Sequence, residues 1–340
     1  MTRVNSSLPA SLFKFYTEET IIKQHDDYGG GFIFDEDDQV NEDGMLHFIS
    51  DNKKVFLRVI PAHYHYTIDF YGNIINFLNI DPKIIFIFSS RDLSYLPGDR
   101  QKFFYDFMEK NNAIFYFVDE KFDGKIKANN FYLPYATHGL PEPVPFDAPL
   151  YHEKFFEYVE DKDTLPYKKI YVSRKKSEQQ KEILSRGKLL SGENDKMQDD
   201  SKIRHIGLVY KRIDDEEKME QFFVSHGFEI VYAEDFNNNF INQINYFSKA
   251  KLLVGISGAG LTNAIFMKNG GHVVELSTSH FFKEPNAIYN EISETEHDFY
   301  KILSRMKNLF YHAIPNNNMS SDDVLEQISN DKFLMSLISG

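Results

Sequence analysis

From Val55 to Leu276, short apolar runs alternate with segments of helical length, and this rhythm limits the fold more than any single motif does. Val55–Ile60, Ile84–Ser89 and Ala113–Val118 read as strands; Tyr64–Leu78 and Asp99–Asn111 have helical length. In the second of these helices Phe103, Phe104, Phe107 and Met108 recur at helical spacing. A second series follows. Lys169–Ser173, Glu229–Tyr232, Leu252–Ile256 and His272–Leu276 read as strands, and Asp215–His226, Phe240–Lys249 and Leu261–Met267 as helices. Alternation of this kind predicts an α/β protein with mainly parallel sheets.

The chain has 340 residues, enough for two cores. Pro134, Gly139, Pro141, Pro143, Pro145 and Pro149 crowd the stretch 134–150 and mark a connection. The expected domains are therefore 1–150 and 151–340. Residues 177–205 are charged and lack periodicity, so they read as an insertion or a mobile loop. The tail is helical from Ser321, with Ser320 or Ser321 as its cap and acidic residues behind it. This last helix is expected to pack back on the N-terminal domain.

Composition removes several function classes. There is no Cys, which excludes disulfides, thiolate metal sites and Cys nucleophiles, and fits a reducing compartment. The net charge of −13 argues against nucleic acid as a partner, because phosphate contacts dominate that affinity. No window reaches the roughly 18–20 apolar residues of a membrane span. The expected location is cytoplasmic, which leaves room for peripheral membrane association.

The strongest local signal is Leu252-Leu253-Val254-Gly255-Ile256-Ser257-Gly258-Ala259-Gly260-Leu261-Thr262-Asn263. It reads as a buried strand, a small-residue turn and a helix. Glycines at 258 and 260 permit backbone angles and close approaches that a side chain blocks. The helix start offers unpaired N–H groups and partial positive charge, a place for a diphosphate. Ser257, Thr262 and Asn263 add side-chain donors. The next strand carries Glu275 near its end, where a carboxylate can accept from ribose hydroxyls. The same residues also read as a plain tight turn with a surface Glu. Two further readings use them: a Rossmann dinucleotide site, though the third glycine is absent, and a nucleophile elbow with Ser257 as nucleophile and His297 or His312 as base.

Basic residues follow the strand Lys169–Ser173: Arg174, then Lys175 and Lys176. An Arg at a strand tip can grip a phosphate bidentately and stabilise a leaving group, and a solvated basic turn has the same sequence. Arg212 precedes Asp215 and Glu216, whose charges suit the first turn of a helix, and Arg212 and Glu216 are cleft candidates. In the N-terminal half, His65 and Asp69 are four apart and share a helical face. Asp69 can serve as a general base with His65 beside it, or the two form an ordinary polar pair. Asp35-Glu36-Asp37 has the form of a metal-binding acidic turn, but it comes before enough chain to build a nucleotide fold, and reads rather as an acidic turn on the surface.

Together these marks resemble glycosyltransferase family 61, a group that includes bacterial capsular-polysaccharide enzymes and plant and animal sugar transferases. Tyr64-His65 with Asp69 is similar to the family's Tyr-His…Asp helix, and Tyr171-Val172-Ser173-Arg174 to its Tyr-Ile-Ser-Arg strand. Arg212 through Glu216 is similar to its Arg…Asn-Glu segment, with Asp215 where Asn is usual. Gly255–Asn263 and Val273-Val274-Glu275-Leu276 resemble its Gly-His-Gly-Ala-Gly-Leu-Thr-Asn and Val-Glu-Leu. Ser257 stands where that signature has His, and 177–205 looks inserted between two marks.

The resemblance implies a GT-B-like architecture, two Rossmann-like domains facing a cleft. It implies an inverting, metal-independent transfer from a nucleotide sugar to a glycan or glycoconjugate acceptor, with no cofactor beyond that co-substrate, a UDP-sugar by expectation. Arg174 with Ser257, Gly258, Ala259, Gly260, Leu261, Thr262 and Asn263 would hold the diphosphate, and Glu275 the ribose. Asp69 would be the base, with His65 at its side. The Ser257 substitution also admits a catalytically degenerate protein that binds a nucleotide sugar or glycan.

Overall fold

The computed structural model describes residues 13–16, 20–23, 46–48, 52–57, 67, 70–89, 96, 98–118, 125–128, 131–134, 153–176, 213–236, 239–277, 300, 303–304, 307–315 and 320–340. The chain divides into two compact units, Met1–Glu153 and Lys154–Gly340. Both are α/β.

The first unit contains β1 (Phe13–Tyr16), β2 (Thr20–Lys23), β3 (Leu46–Phe48), β4 (Lys54–Phe56), α1 (Tyr71–Ile80), β5 (Ile85–Ser89), α2 (Gly98–Lys110), β6 (Ile114–Val118), β7 (Lys125–Ala128) and β8 (Phe131–Pro134). Its main sheet runs β1-β8-β4-β5-β6, and a small sheet runs β2-β7-β3. The neighbours β8-β4-β5-β6 are parallel, and β1 joins antiparallel. The core is aromatic. Phe86 and Phe88 of β5 and Phe103, Phe104 and Phe107 of α2 are essentially fully buried with Tyr71. Phe88 meets Phe104 edge-on at 5.1 Å, and Tyr71 meets Phe107 at 4.7 Å. Edge-to-face packing at these distances is the geometry that aromatic quadrupoles favour. The helical spacing read from the sequence thus places the expected face of α2 inward. Helix α1 is α-helical from Tyr71, and Thr67 and Phe70 before it are in wider π-helical turns; residues 64–66, 68 and 69 lie outside the described residues.

The second unit contains β9 (Lys168–Ser173), α3 (Glu216–Ser225), β10 (Glu229–Tyr232), α4 (Phe240–Ser248), β11 (Ala250–Ile256), a 3-10 helix (Ala259–Phe266), β12 (His272–Ser277), β13 (Phe310–Pro315), α5 (Ser321–Asn330) and α6 (Lys332–Ser339). All its strands are parallel, in the order β10-β9-β11-β12-β13. Parallel sheets are covered on both faces, which is why their strands read as continuous apolar runs. Ile170, Tyr171, Leu253, Val254, Val273, Val274 and Leu276 are fully buried. One face packs against α3, α5 and α6 through a core that joins Tyr171, Phe223, Val254, Leu276, Ile328 and Ile338. On the opposite face, the Leu261 side chain of the 3-10 helix lies over Gly255. Phe266 of that helix packs on Phe240 of α4 and on Phe155.

Two expectations change here. Leu261–Met267 was expected as an ordinary helix, but it is the tighter 3-10 form and starts at Ala259; Leu261 N–H donates to the Gly258 carbonyl and Met267 N–H to that of Ala264. The tail is two helices, broken at Asp331. Ser320 caps the first, accepting from Asp323 N–H, and the Asp331 carboxylate caps the second, accepting from Phe333 and Leu334 N–H. The buried residues of the second tail helix, Leu334 and Ile338, lie in the core of this unit. Lys169 ties that helix down further: its ammonium donates to the carbonyls of His226 and Ile338, the C-terminal ends of α3 and α6. Among the described residues, no helix is long and apolar enough to cross a membrane. The stretch 177–205 and the acidic run at 35–38 lie outside the described residues.

Candidate functional site

In an open parallel sheet, ligands bind beyond the carboxyl ends of the strands, where the strand order reverses. In the second unit the chain goes from β9 to β10 on one side, then crosses to β11 and continues outward to β12 and β13. The switch point therefore lies between β9 and β11. Each strand is followed there by a predicted site residue, Arg174 after β9 and Ser257 after β11. Gly255 pairs with Val172, so Ser257 and Arg174 follow at the same level, each two residues beyond the pair.

The turn after β11 needs its glycines. Gly258 has φ of 153°, a conformation that other residues rarely adopt. A Cβ on Gly260 would stand 2.6 Å from Cγ1 of Val172, so only glycine lets the turn lie this close to β9. The first N–H groups of the 3-10 helix that follows have no partner within it, which leaves donors at the turn. Ser257, Gly258 and Gly260 are partly exposed, whereas Leu261, Thr262 and Asn263 are fully buried. Asn263 works within the protein: its Oδ1 accepts from Gln243 at 2.7 Å and its Nδ2 donates to the Gly260 carbonyl at 2.8 Å. A ligand at this turn would meet the backbone near 257–260, and Leu261, Thr262 and Asn263 shape that backbone from beneath. The Gly258 carbonyl accepts from the Tyr300 hydroxyl, which holds the turn from another direction.

The basic tip of β9 is organised by α3. Asp215 caps this helix, accepting from Lys218 N–H. Glu216, buried in its first turn, accepts through Oε1 from the Tyr171 hydroxyl at 3.0 Å and from the Arg174 N–H at 2.9 Å. Glu220, one turn on, accepts from the Ser173 hydroxyl at 2.6 Å and from that of Tyr232 at 3.0 Å. Burial, then Glu220, pushes the Tyr232 hydroxyl up to about 12, which keeps it a donor. Lys175 pairs with Glu217 and Glu220 at 3.4 and 3.6 Å, and Lys176 with Asp235 at 2.5 Å. The charges of both lysines are thus matched locally. Arg174, half-buried, has its backbone fixed by Glu216. The sequence pattern marked Glu216 as a cleft candidate; the structure shows it inside, setting the position of Arg174. Arg212 lies outside the described residues.

Glu275 on β12 is 4% exposed. Its Oε1 accepts from the Ser257 hydroxyl at 2.5 Å, and its Oε2 from the Tyr311 hydroxyl at 2.7 Å. The sequence reading missed Tyr311, because β13 itself carries no clean strand signal. The hydrolase alternative meets a geometric obstacle. His312 pairs with Val274 and lies on the sheet face opposite Tyr311 and Glu275. Its Nε2 stands 3.1 Å from Nδ1 of His272, and its ring packs on Phe333. Ser257 also lacks the strained backbone of a nucleophile elbow; the only described non-glycine residues with positive φ are Asn112 and Asn308. Ser257 and His312 therefore do not meet, and His297 lies outside the described residues.

His65 and Asp69, the candidate base pair, also lie outside the described residues. Among the described residues no three His, Asp or Glu side chains group in a manner that would hold a metal ion.

No curated protein matches the chain. A family model does match, and it falls on the segment that builds most of this site: α3, β10, α4, β11, the glycine turn and the start of β12. Arg174 precedes that segment, and Glu275 and Tyr311 follow it. Residues 207–274 match the model of the family described as Glycosyltransferase 61, so over this stretch the resemblance to glycosyltransferase family 61 is shown.

Proposed function

We propose that this protein is a glycosyltransferase that takes its sugar from a nucleotide-sugar donor bound at the β9–β11 switch point. The observation that carries this reading is the glycine turn. It is held against Val172, beside Arg174, at the carboxyl ends of parallel strands, within the segment that matches the family. Backbone N–H groups of the turn and the Arg174 guanidinium would neutralise the diphosphate, as donors and as a bidentate cation. The finer proposal follows the family's pattern. The transfer is inverting and metal-independent, with Arg174 in place of a metal at the leaving diphosphate. The architecture is GT-B-like, the acceptor is a glycan or glycoconjugate, and capsule or surface-polysaccharide synthesis is a fitting setting. Asp69 is the proposed base, with His65 positioning it.

A thermal-shift panel of UDP, GDP, CMP and NAD, each with and without chelator, tests the donor site. Ligand at a hundred times its dissociation constant stabilises by roughly 2.7 kcal/mol. The expected result is a chelator-insensitive shift with one nucleoside diphosphate, lost in Arg174→Ala. A shift with NAD alone, or none with any nucleotide, would sink the reading. For the base, Asp69→Asn should lower kcat strongly while the nucleotide still binds.

A second reading is supported by one residue. Ser257 stands where the family signature has His, which fits a protein that binds the donor without turning it over. Mass spectrometry for sugar transfer or donor hydrolysis separates the two. Turnover abolished by Arg174→Ala would end the binding-only reading.

A further inference from the structure

A carboxylate near the end of the strand after a phosphate loop has the chemistry to receive ribose hydroxyls. Glu275 has that place in the sequence, but its surroundings point elsewhere. A ribose diol engages a carboxylate with one hydroxyl on each oxygen. Here the chain itself supplies that pattern, Ser257 on Oε1 and Tyr311 on Oε2, around a side chain that is 4% exposed. Hydroxyl bonds to an ionised carboxylate are charge-assisted and stronger than neutral ones. Ser257 is tied to β12 a second time, through its N–H on the Leu276 carbonyl at 3.1 Å. The first residue of the turn is therefore fixed to β12 by backbone and side chain. Tyr311 reaches the same carboxylate from β13, the neighbouring strand.

We propose that Glu275 is a positioning residue of the glycine turn, held in place by Ser257 and Tyr311, and that it braces the turn from behind instead of receiving ribose. What the turn binds rests on the donor-site reading above; the brace itself is a property of the protein without ligand. Tyr311 carries it from the far side: its hydroxyl orients the carboxylate, the carboxylate holds Ser257, and Ser257 sets where the backbone donors at 258–260 point.

Two measurements on the full chain test this. The first is hydrogen exchange without nucleotide. Tyr311→Phe should speed exchange in a peptide covering 255–263 roughly tenfold, the scale of losing one hydrogen bond to a charged group. A peptide covering β9 should exchange as before. Unchanged protection at 255–263 would overturn the proposal. The second measures Kd for UDP and 2′-deoxy-UDP. Glu275→Gln and Tyr311→Phe should weaken both nucleotides by the same factor. A ribose preference in the native protein that disappears in Glu275→Gln would make Glu275 a ribose ligand and overturn the brace. If neither nucleotide binds the native protein, a uridine donor is excluded, and the exchange result alone decides the brace.

Discussion

At the residue scale, the close approach of Gly260 to Val172 makes a sharp demand. With 2.6 Å between a Cβ at 260 and Cγ1 of Val172, Gly260→Ala forces the turn or β9 to move. Overpacking of this kind costs about 1–3 kcal/mol. Val172→Ala removes the obstructing methyl, so the double variant should cost less than the sum of the two single ones, as expected of residues in contact. Urea unfolding of the three variants measures this, and strict additivity would mean that the contact does not govern the turn. The glycines were legible in the sequence because small residues between a strand and a helix leave few alternatives. The roles of Glu216 and Asn263 were not. A carboxylate and an amide that face inward look the same in a sequence as ones that face a ligand, and only their partners, Tyr171, Arg174, Gln243 and the Gly260 carbonyl, separate the two. Tyr311 had no signal at all, since its partner Glu275 is far away in the chain.

At the element scale, the strands most easily read were those buried on both faces. β9, β11 and β12 are continuous apolar runs because helices cover both sides of the sheet. β13 escaped notice for the converse reason. It is an edge strand, Phe310 and Ala313 are exposed, and it ends on Pro315, which edge strands tolerate. The tail helices show where a pattern identifies an element but not its neighbour. Ser320 and its acidic followers announced a helix, while the face that α6 covers could not be read without the sheet. Its place in the core makes a prediction. Ile338 is fully buried among residues of α3, α5 and the sheet, so Ile338→Ala should destabilise by roughly 2–5 kcal/mol. Exposed Lys332 on the same helix should tolerate alanine within about 0.5 kcal/mol. Equal, small effects at both positions in chemical denaturation would mean that α6 is an appendage and not part of this core.

At the scale of the whole molecule, strand order decides where a ligand can sit, and order is invisible in sequence. The alternation of elements implied parallel sheets, yet β9 and β11 become neighbours only through the crossover that sends β10 to the far edge. The fold also buries a charge that no motif announced. Lys307, in the turn before β13, is 2% exposed, and its ammonium nitrogen has no hydrogen-bond partner. Burial pulls this amine down to about 7 from an ordinary value of 10.5. In the unfolded chain the amine stays protonated up to its ordinary range. Between pH 7 and about 10.5 the unfolded state therefore holds a proton that the folded state does not, and stability rises with pH across that window. Below pH 7 both states are protonated and the penalty is at its full size, on the order of 5 kcal/mol for a shift of this extent. His272 and His312 add in the same direction at lower pH. Burial lowers both, first for each, with the neighbouring His312 contributing at His272 and Asp331 opposing at His312, so acid favours the unfolded chain. Lys307→Met keeps the side chain's length without the charge. It should be more stable than the native protein at pH 7, with the difference in urea midpoint shrinking steadily toward pH 9. A difference that stays constant over that range would show that Lys307 keeps its proton in the folded protein, and that a partner compensates its burial.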